Sequence, residues 1–367
     1  MSRLKVLVAT GSSGGHIFPA LSFLHTLRDK YKNVDTLLIL PKRAREFNLV
    51  PRDCKVSYLS ISTIKFKLSL KNLAACFGFL KGSLESLYLL VEFRPDVVVG
   101  FGSLSCIPVV LLAWIFRIKT LIHEQNVIPG RANRLLAKFA DKIAVSFIQT
   151  KNYLNSSQKL VFTGNPIRQE LKAAKDLRQE ALDFFGFDNN KFTILVMGGS
   201  QGSHRINTCF LNAVSMMTDK SGFQIVHLAG QADYGLLDSG YRDSQVAFKL
   251  FTFLKEMQYA YSIADLAITR AGATTIAELA FFGTPAIIIP YPFAYRHQLN
   301  NAGVLTGHAA AILINEDELE PKVLKEVLVD LMNNPNKIKL MRSNFNRISK
   351  TNACDLLINE ALSLIAA

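Results

Sequence analysis

Several residue types and motifs are scarce or missing in this chain, and each shortage excludes a class of protein. The 367 residues hold five cysteines, Cys54, Cys76, Cys106, Cys209 and Cys354, spread far apart with no Cys-x-x-Cys pair. Neither a disulfide framework nor a zinc site fits that spacing, and reduced, buried thiols are expected. Acidic residues are outnumbered, 29 against 42 Lys and Arg, which leaves a net charge of +13. An anionic partner follows from that balance. Nucleic acid is not the expected one, because zinc fingers, an RNA-binding aromatic signature and long Lys/Arg runs are all missing. Phosphate ligands and an anionic membrane surface remain. Long uninterrupted apolar runs are missing too. Val97 to Phe116 carries no charge and is long enough to span a bilayer. Gly100, Gly102, Ser103, Ser105 and Pro108 break it into strand, loop and helix. The opening "MSRLKVLVAT" is too short for a signal h-region and reads as a first strand.

What is present is alternation. Strand-like runs such as "KVLVAT", "VDTLLIL", "DVVVGFG", "KTLIHE", "KIAVSF" and "KLVFTGNP" are separated by helical patterns. After a charged helical stretch, Lys172 to Phe185, the pattern restarts with "KFTILVMGGSQGSHRIN" and continues through "FQIVHLAG", "DLAITRAG", "PAIIIPY" and "AAILI". Such alternation predicts parallel sheets with crossover helices. Two Rossmann-like α/β domains facing a cleft are expected, 1–166 and 167–343, with the boundary region near Asn165 to Lys191. An amphipathic helix over about 344–367 is expected to pack back on the first domain.

Each domain opens with a strand, a Gly-rich turn and a helix: Gly11, Gly14 and Gly15 in the first, Gly198, Gly199 and Gly202 in the second. Glycine lets backbone approach a ligand, and the N–H groups opening the next helix favour phosphate. Neither turn is a Walker loop, since no Lys-Ser or Lys-Thr follows the last glycine. A nicotinamide dinucleotide is disfavoured as well: the first turn reads "GSSGGH", and the second strand ends "LILPKR" with no acidic residue for a ribose. Later, "RAGATTIAEL" again carries a strand into a turn and a helix. Here Glu278 has two readings: with Thr275 it fits a capping box that satisfies backbone N–H groups, or it accepts the hydroxyls of a ribose. "HQLNNA", His297 to Ala302, adds imidazole and amides suited to sugar hydroxyls.

Taken in order, "GSSGGHIFPAL", "GFGSLSCIP", "HEQN", "GNPIR", "GGSQGS", "RAGATTIAEL" with "GTPAIIIP", and "HQLNNA" resemble the loops of the MurG family, bacterial lipid-linked N-acetylglucosaminyltransferases, over nearly the whole chain. The resemblance implies a GT-B fold and transfer of GlcNAc from UDP-N-acetylglucosamine to the C4 hydroxyl of MurNAc in lipid I, giving lipid II for peptidoglycan. It implies that the second domain holds the donor. Glu278 would hold the ribose, Ala273, Thr274, Thr275 and Ser200 the phosphates, Leu254 the uracil region and Gln298 the sugar, with Arg168 reaching over. It places the acceptor diphosphate at Ser13, Gly14, Gly15, Gly102 and Ser103. The glycine loop with Asn126 is implied to line the donor as well, and His16 and Asn126 the reaction centre.

The implied step is a single displacement with inversion, which needs one base. His16 is the candidate because imidazole titrates near neutrality; a hydrogen bond that merely orients the loop is its structural alternative. Glu124 is the alternative base, and His123 reads as structural. No Asp-x-Asp motif occurs, so helix N-termini and Arg168 are expected to stabilise the leaving diphosphate, with no metal and no cofactor.

Lipid I is membrane-anchored, so docking at the cytoplasmic face of the plasma (inner) membrane is expected, without a spanning helix. Lys55 to Leu84 lacks Asp and Glu, and Lys65, Lys67, Lys71 and Lys81 alternate with apolar residues, which suits an anionic lipid surface. Leu73, Phe77, Leu80 and Trp114 match the family's membrane patch; an ordinary amphipathic surface helix is the alternative. Proteins of a wall-synthesis complex are further expected partners. Two loops depart from the family: Ser103 and Leu104 stand where its second loop has Gly and Tyr, and Tyr295 and Arg296 where an Asp is usual. Another GT-B enzyme, such as a UDP-N-acetylglucosamine 2-epimerase or a glycolipid transferase, and a non-catalytic nucleotide-sugar sensor are the rival readings.

Overall fold

The computed structural model describes residues 3–47, 54–61, 70–154, 157–172, 177–199, 201–293, 297–348 and 352–366. The chain divides into two compact units, Met1–Gln169 with Asn352–Ala367, and Glu170–Thr351.

The first unit is built on β1 (Leu4–Ala9), β2 (Val34–Pro41), β3 (Val56–Leu59), β4 (Val97–Gly100), β5 (Lys119–Glu124), β6 (Lys142–Val145) and β7 (Leu160–Phe162). They run parallel in the order β3-β2-β1-β4-β5-β6-β7. Helices α1 (Gly14–Lys30), α2 (Leu70–Phe93), α3 (Cys106–Ile115) and α4 (Arg131–Leu136) connect them. A parallel sheet covered on both faces needs strands that are apolar throughout. β1 meets that need: Val6 and Val8 enter one core, Leu7 and Ala9 the other. The chain direction switches between β1 and β4, where ligands of such sheets bind beyond the strand ends.

The second unit contains β8 (Phe192–Met197), β9 (Phe223–Leu228), β10 (Ala247–Phe251), β11 (Leu266–Thr269), β12 (Ala286–Ile288) and β13 (Ala311–Leu313), again parallel, in the order β10-β9-β8-β11-β12-β13. The helices that follow in the chain are α5 (Gln169–Lys172), α6 (Arg178–Phe185), α7 (His204–Ser215), α8 (Tyr234–Ser244), α9 (Met257–Ile263), α10 (Ala273–Phe282), α11 (His297–Thr306), α12 (Pro321–Asn333) and α13 (Pro335–Asn344).

Both chain crossings fall later than the sequence suggests, for local reasons. The first unit extends past 166 to Gln169, because Arg168 lies over the Phe18 ring and Gln169 Nε2 donates to Asp29 Oδ2 at 2.8 Å. The returning helix spans Ala353–Ala366 rather than starting near 344. Residues 335–347 stay with the second unit, where Phe345 is buried and Arg342 pairs with Asp265. Leu357, Ile358 and Leu364 of the returning helix join the first unit's core, each contributing roughly 1.5–3 kcal/mol of burial.

Candidate active site

In the first unit the glycine loop leaves β1 and enters α1 at its N-cap, Ser13. The Ser13 hydroxyl makes no capping bond; it sits 2.6 Å from His16 Nδ1. Gly15 faces open space, so backbone there can meet a ligand. Gly11 cannot carry a side chain, since a Cβ would lie 2.7 Å from Ser103 Cβ. The first and second glycine loops therefore pack on each other. A Cβ on Gly102 would lie 3.3 Å from His16 Cδ2 and 3.3 Å from Asn133 Nδ2, so Gly102 lies between the imidazole and that carboxamide. Ser13, Gly14, Gly15, His16, Gly102 and Ser103 thus form one neighbourhood. His16 is half-buried, and lost hydration lowers its pKa to about 4. It is neutral at pH 7, the form that accepts a proton.

Ser103 adopts φ 79°, next to Gly102 at 85°. That left-handed conformation costs a residue with a Cβ roughly 1–2 kcal/mol, which explains why a glycine is usual there. Neighbouring bonds hold the loop in place: Ser105 Oγ donates to the Thr10 carbonyl and Cys106 Sγ to that of Gly102.

Glu124, the alternative base, is held by its own loop. Its Oε1 accepts from Asn126 N (2.9 Å) and Asn126 Nδ2 (3.2 Å), its Oε2 from Gly130 N (3.0 Å) and Asn133 Nδ2 (2.8 Å). Burial raises its pKa against the pull of these four donors. The carboxylate so engaged organises the loop after β5. His123 is buried, with Nε2 3.0 Å from the Gly164 carbonyl and Nδ1 3.1 Å from Gln125 Nε2, and Gln125 Nε2 also donates to the Phe101 carbonyl. It joins the ends of β4, β5 and β7 as a neutral imidazole, its pKa lowered to about 4 by burial. Asn126 is half-buried at the edge of this network. Asn133 was not singled out by the sequence; nothing in "RANR" marks an asparagine whose partners are nine and ten residues away.

In the second unit, Gly202 and Gly230 cross at backbone distance: a Cβ on Gly202 would lie 2.0 Å from the Ala229 carbonyl oxygen. Ser200 lies outside the described residues, as do Tyr295 and Arg296. Ser203 Oγ accepts from Arg270 Nη2 at 2.8 Å. Buried Arg270 also donates to the Ile289 and Pro290 carbonyls and pairs with Glu316, tying together the loops after β8, β12 and β13.

Helix α10 has Gly272 as its N-cap, so Ala273, Thr274 and Thr275 form the first helical turn. Thr275 is inside the helix, and the capping-box reading of Glu278 falls with it. Thr274 Oγ1 is buried with no hydrogen-bond partner among the described residues, beside the N–H groups that suit an anion. Glu278 is 5% exposed, and Oε2 accepts from Tyr261 Oη at 2.8 Å. Gln298 Oε1 accepts from Tyr291 N (2.8 Å) and Ala271 N (3.3 Å), which directs Nε2, a donor, to any further contact. The Leu254 side chain is only 3% exposed; a contact with a uracil there would come from backbone, not from the side chain.

Two family models match, the glycosyltransferase family 28 N-terminal domain over residues 6–145 and its C-terminal domain over residues 193–357. Among curated relatives, the UDP-N-acetylglucosamine–N-acetylmuramyl-(pentapeptide) pyrophosphoryl-undecaprenol N-acetylglucosamine transferase of Desulforamulus reducens is 34% identical over 363 residues, 97% of each chain. The enzyme of that name from Halalkalibacterium halodurans is 36% identical over 92% of this chain and 93% of its own. This chain belongs to the MurG family. Acinetobacter baumannii MurG matches in structure with a TM-score of 0.79 and 25% identity, over 98% of this chain and 99% of that one. A UDP-GlcNAc 2-epimerase of Neisseria meningitidis shares the fold, with a TM-score of 0.71 at 16% identity, covering 98% of this chain and all 100% of its own. The GT-B fold alone therefore does not separate MurG from the epimerase reading. The full-length sequence relatives do, and they make the protein a glycosyltransferase.

Proposed function

We propose that the chain transfers GlcNAc from UDP-N-acetylglucosamine to the C4 hydroxyl of MurNAc in lipid I, with inversion, and that His16 is the general base. The observation that carries this reading is a neutral, half-exposed imidazole between two glycine loops suited to a diphosphate. Ser13, Gly14, Gly15, Gly102 and Ser103 hold the acceptor diphosphate by backbone N–H groups and hydroxyls. Asn126, braced by Glu124, lines the reaction centre, and Arg168 is assigned to the departing UDP. In the second unit Ala273, Thr274 and Thr275 take the donor phosphates, with Ser200 assigned to them from the family pattern, and Glu278 takes the ribose. The test is UDP release from UDP-GlcNAc with and without a short-chain lipid I analogue, with the product read by mass spectrometry. Binding without acceptor-dependent turnover would replace the transferase with a sensor.

Gln298 gives a sharper expectation. In Gln298→Glu the carboxylate still accepts from Tyr291 N and Ala271 N, so the loop stays tied, but the donor to the sugar is gone. KM for UDP-GlcNAc should rise about tenfold, the size of one hydrogen bond to a sugar together with the repulsion of an added charge. An unchanged KM in steady-state kinetics would remove Gln298 from the site.

We also place this enzyme at the inner face of the membrane as a peripheral protein. Among the described residues no helix is long and apolar enough to cross a bilayer. Helix α2 buries Gly82, Ser86, Leu90 and Phe93, and leaves Phe77, Leu80, Leu84, Tyr88 and Val91 between 58% and 71% exposed. An ordinary surface helix does the reverse. Trp114, Ile115 and Phe116 at the end of α3 are exposed as well; Lys65 and Lys67 and the side chain of Leu73 lie outside the described residues. Trp114 is the chain's one tryptophan, so its fluorescence should shift to the blue on adding vesicles of anionic phospholipid. Phe77→Glu with Leu80→Glu should weaken vesicle binding by at least about tenfold, or 1.4 kcal/mol. Equal flotation of both proteins would reject the surface.

A further inference from the structure

We infer that Tyr261 is a positioning residue for nucleotide recognition: its phenol fixes the Glu278 carboxylate so that the site reads the two hydroxyls of a ribose. This rests on the proposed role of Glu278. Tyr261 lies on α9 and is buried, as is Glu278 on α10. Its hydroxyl is 2.8 Å from Glu278 Oε2, its ring stacks on Phe282 of the same helix at 5.2 Å and 12°, and its oxygen lies 3.7 Å from Met197 Sδ at the end of β8. The ring is therefore held from two sides, and the hydroxyl cannot swing away from the carboxylate without unstacking.

A buried carboxylate needs donors, and a freely rotating one would present its oxygens to a diol in many orientations. A phenol on one oxygen restricts that rotation, and each carboxylate oxygen can still accept a further bond. Phenylalanine would fill the same space against Phe282. The hydroxyl is therefore the part that packing alone does not require.

The test is a cycle over protein and ligand. UDP and 2′,3′-dideoxy-UDP are titrated by calorimetry into wild type and Tyr261→Phe, with the Tm of each protein and the kcat at saturating UDP-GlcNAc measured alongside. Wild type should prefer UDP strongly. Tyr261→Phe should keep its kcat within about twofold and lose about tenfold of that preference, the scale of a hydrogen bond to a charged group. Equal preference in both proteins would overturn the inference. So would an equal loss of affinity for both nucleotides with a lowered Tm, which marks a packing role. A wild type that does not distinguish the two nucleotides would overturn the ribose reading beneath it instead.

Discussion

His16→Ala should lower kcat by roughly 10²–10⁴-fold, the usual share of a general base, and change KM for UDP-GlcNAc far less, since the proposed role of the imidazole is on the acceptor. In a neutral imidazole one nitrogen donates and the other accepts. If Nδ1–H donates to the Ser13 hydroxyl 2.6 Å away, Nε2 is left with the lone pair and can take the acceptor proton. Ser13→Ala would release that choice of tautomer and cost less than His16→Ala. The pH profile supplies a second reading. A base whose pKa is lowered to about 4 is competent above that value and lost as pH falls through it. kcat/KM should therefore stay level from neutral pH to well below the 6.5 of free imidazole, in a range where circular dichroism confirms the fold. An acid limb centred near the free value would show that His16 is hydrated, contrary to its place between the loops.

Glu124→Gln separates the two candidate bases. An amide presents one accepting oxygen where the carboxylate presents two, and its NH2 would face backbone N–H or carboxamide donors now aimed at Glu124. Activity should fall together with thermal stability, because the loop from Asn126 to Gly130 loses its anchor. His16→Ala should cost activity with stability nearly intact. A Glu124→Gln protein as stable as wild type but inactive would return the role of base to Glu124.

The strands and glycine loops were legible because their signal is local: apolar runs, then glycines, then a helical period. The arrangement of the site was less so. Asn133, Tyr261 and Arg270 act on partners as far away as 67 residues, a distance at which no spacing rule applies. The choice between a capping box and a ribose contact at Glu278 turned on where α10 begins, and Gly272 takes the N-cap by two extended dihedrals, φ −65° and ψ 139°. The family pattern flagged Ser103 as a departure, but only the backbone angle says why glycine is preferred. Periodicity predicts an apolar face on α2 without saying whether it points inward. The small residues Gly82 and Ser86 decide that: a Cβ on Gly82 would lie 2.3 Å from Ile61 Cγ1, so only the glycine side can approach the core.

Gly202→Ala should be the most damaging single methyl in the second unit. Gly202 has φ 77°, and the added Cβ would meet the Ala229 carbonyl oxygen at 2.0 Å and its carbon at 2.8 Å. Both are backbone, so no side chain can rotate away. The approach is mutual: a Cβ on Gly230 would lie 2.2 Å from the Gln201 carbonyl oxygen. Separating the two loops would move the start of α7 and the Ser203–Arg270 bond with it. A cost of about 4 kcal/mol, typical of severe core strain, should lower the unit's melting temperature by roughly 8–16 °C at 2–4 °C per kcal/mol, and UDP-GlcNAc binding should be lost. Gly199→Ala is the matched control: φ is 101°, equally unfavourable for alanine, but nothing lies within 4 Å of the new Cβ. It should carry only the backbone strain of roughly 1–2 kcal/mol. If differential scanning calorimetry gave the two variants the same shift, dihedral strain alone would explain both, and the close crossing of the loops after β8 and β9 would not be what holds the donor side of the enzyme in shape.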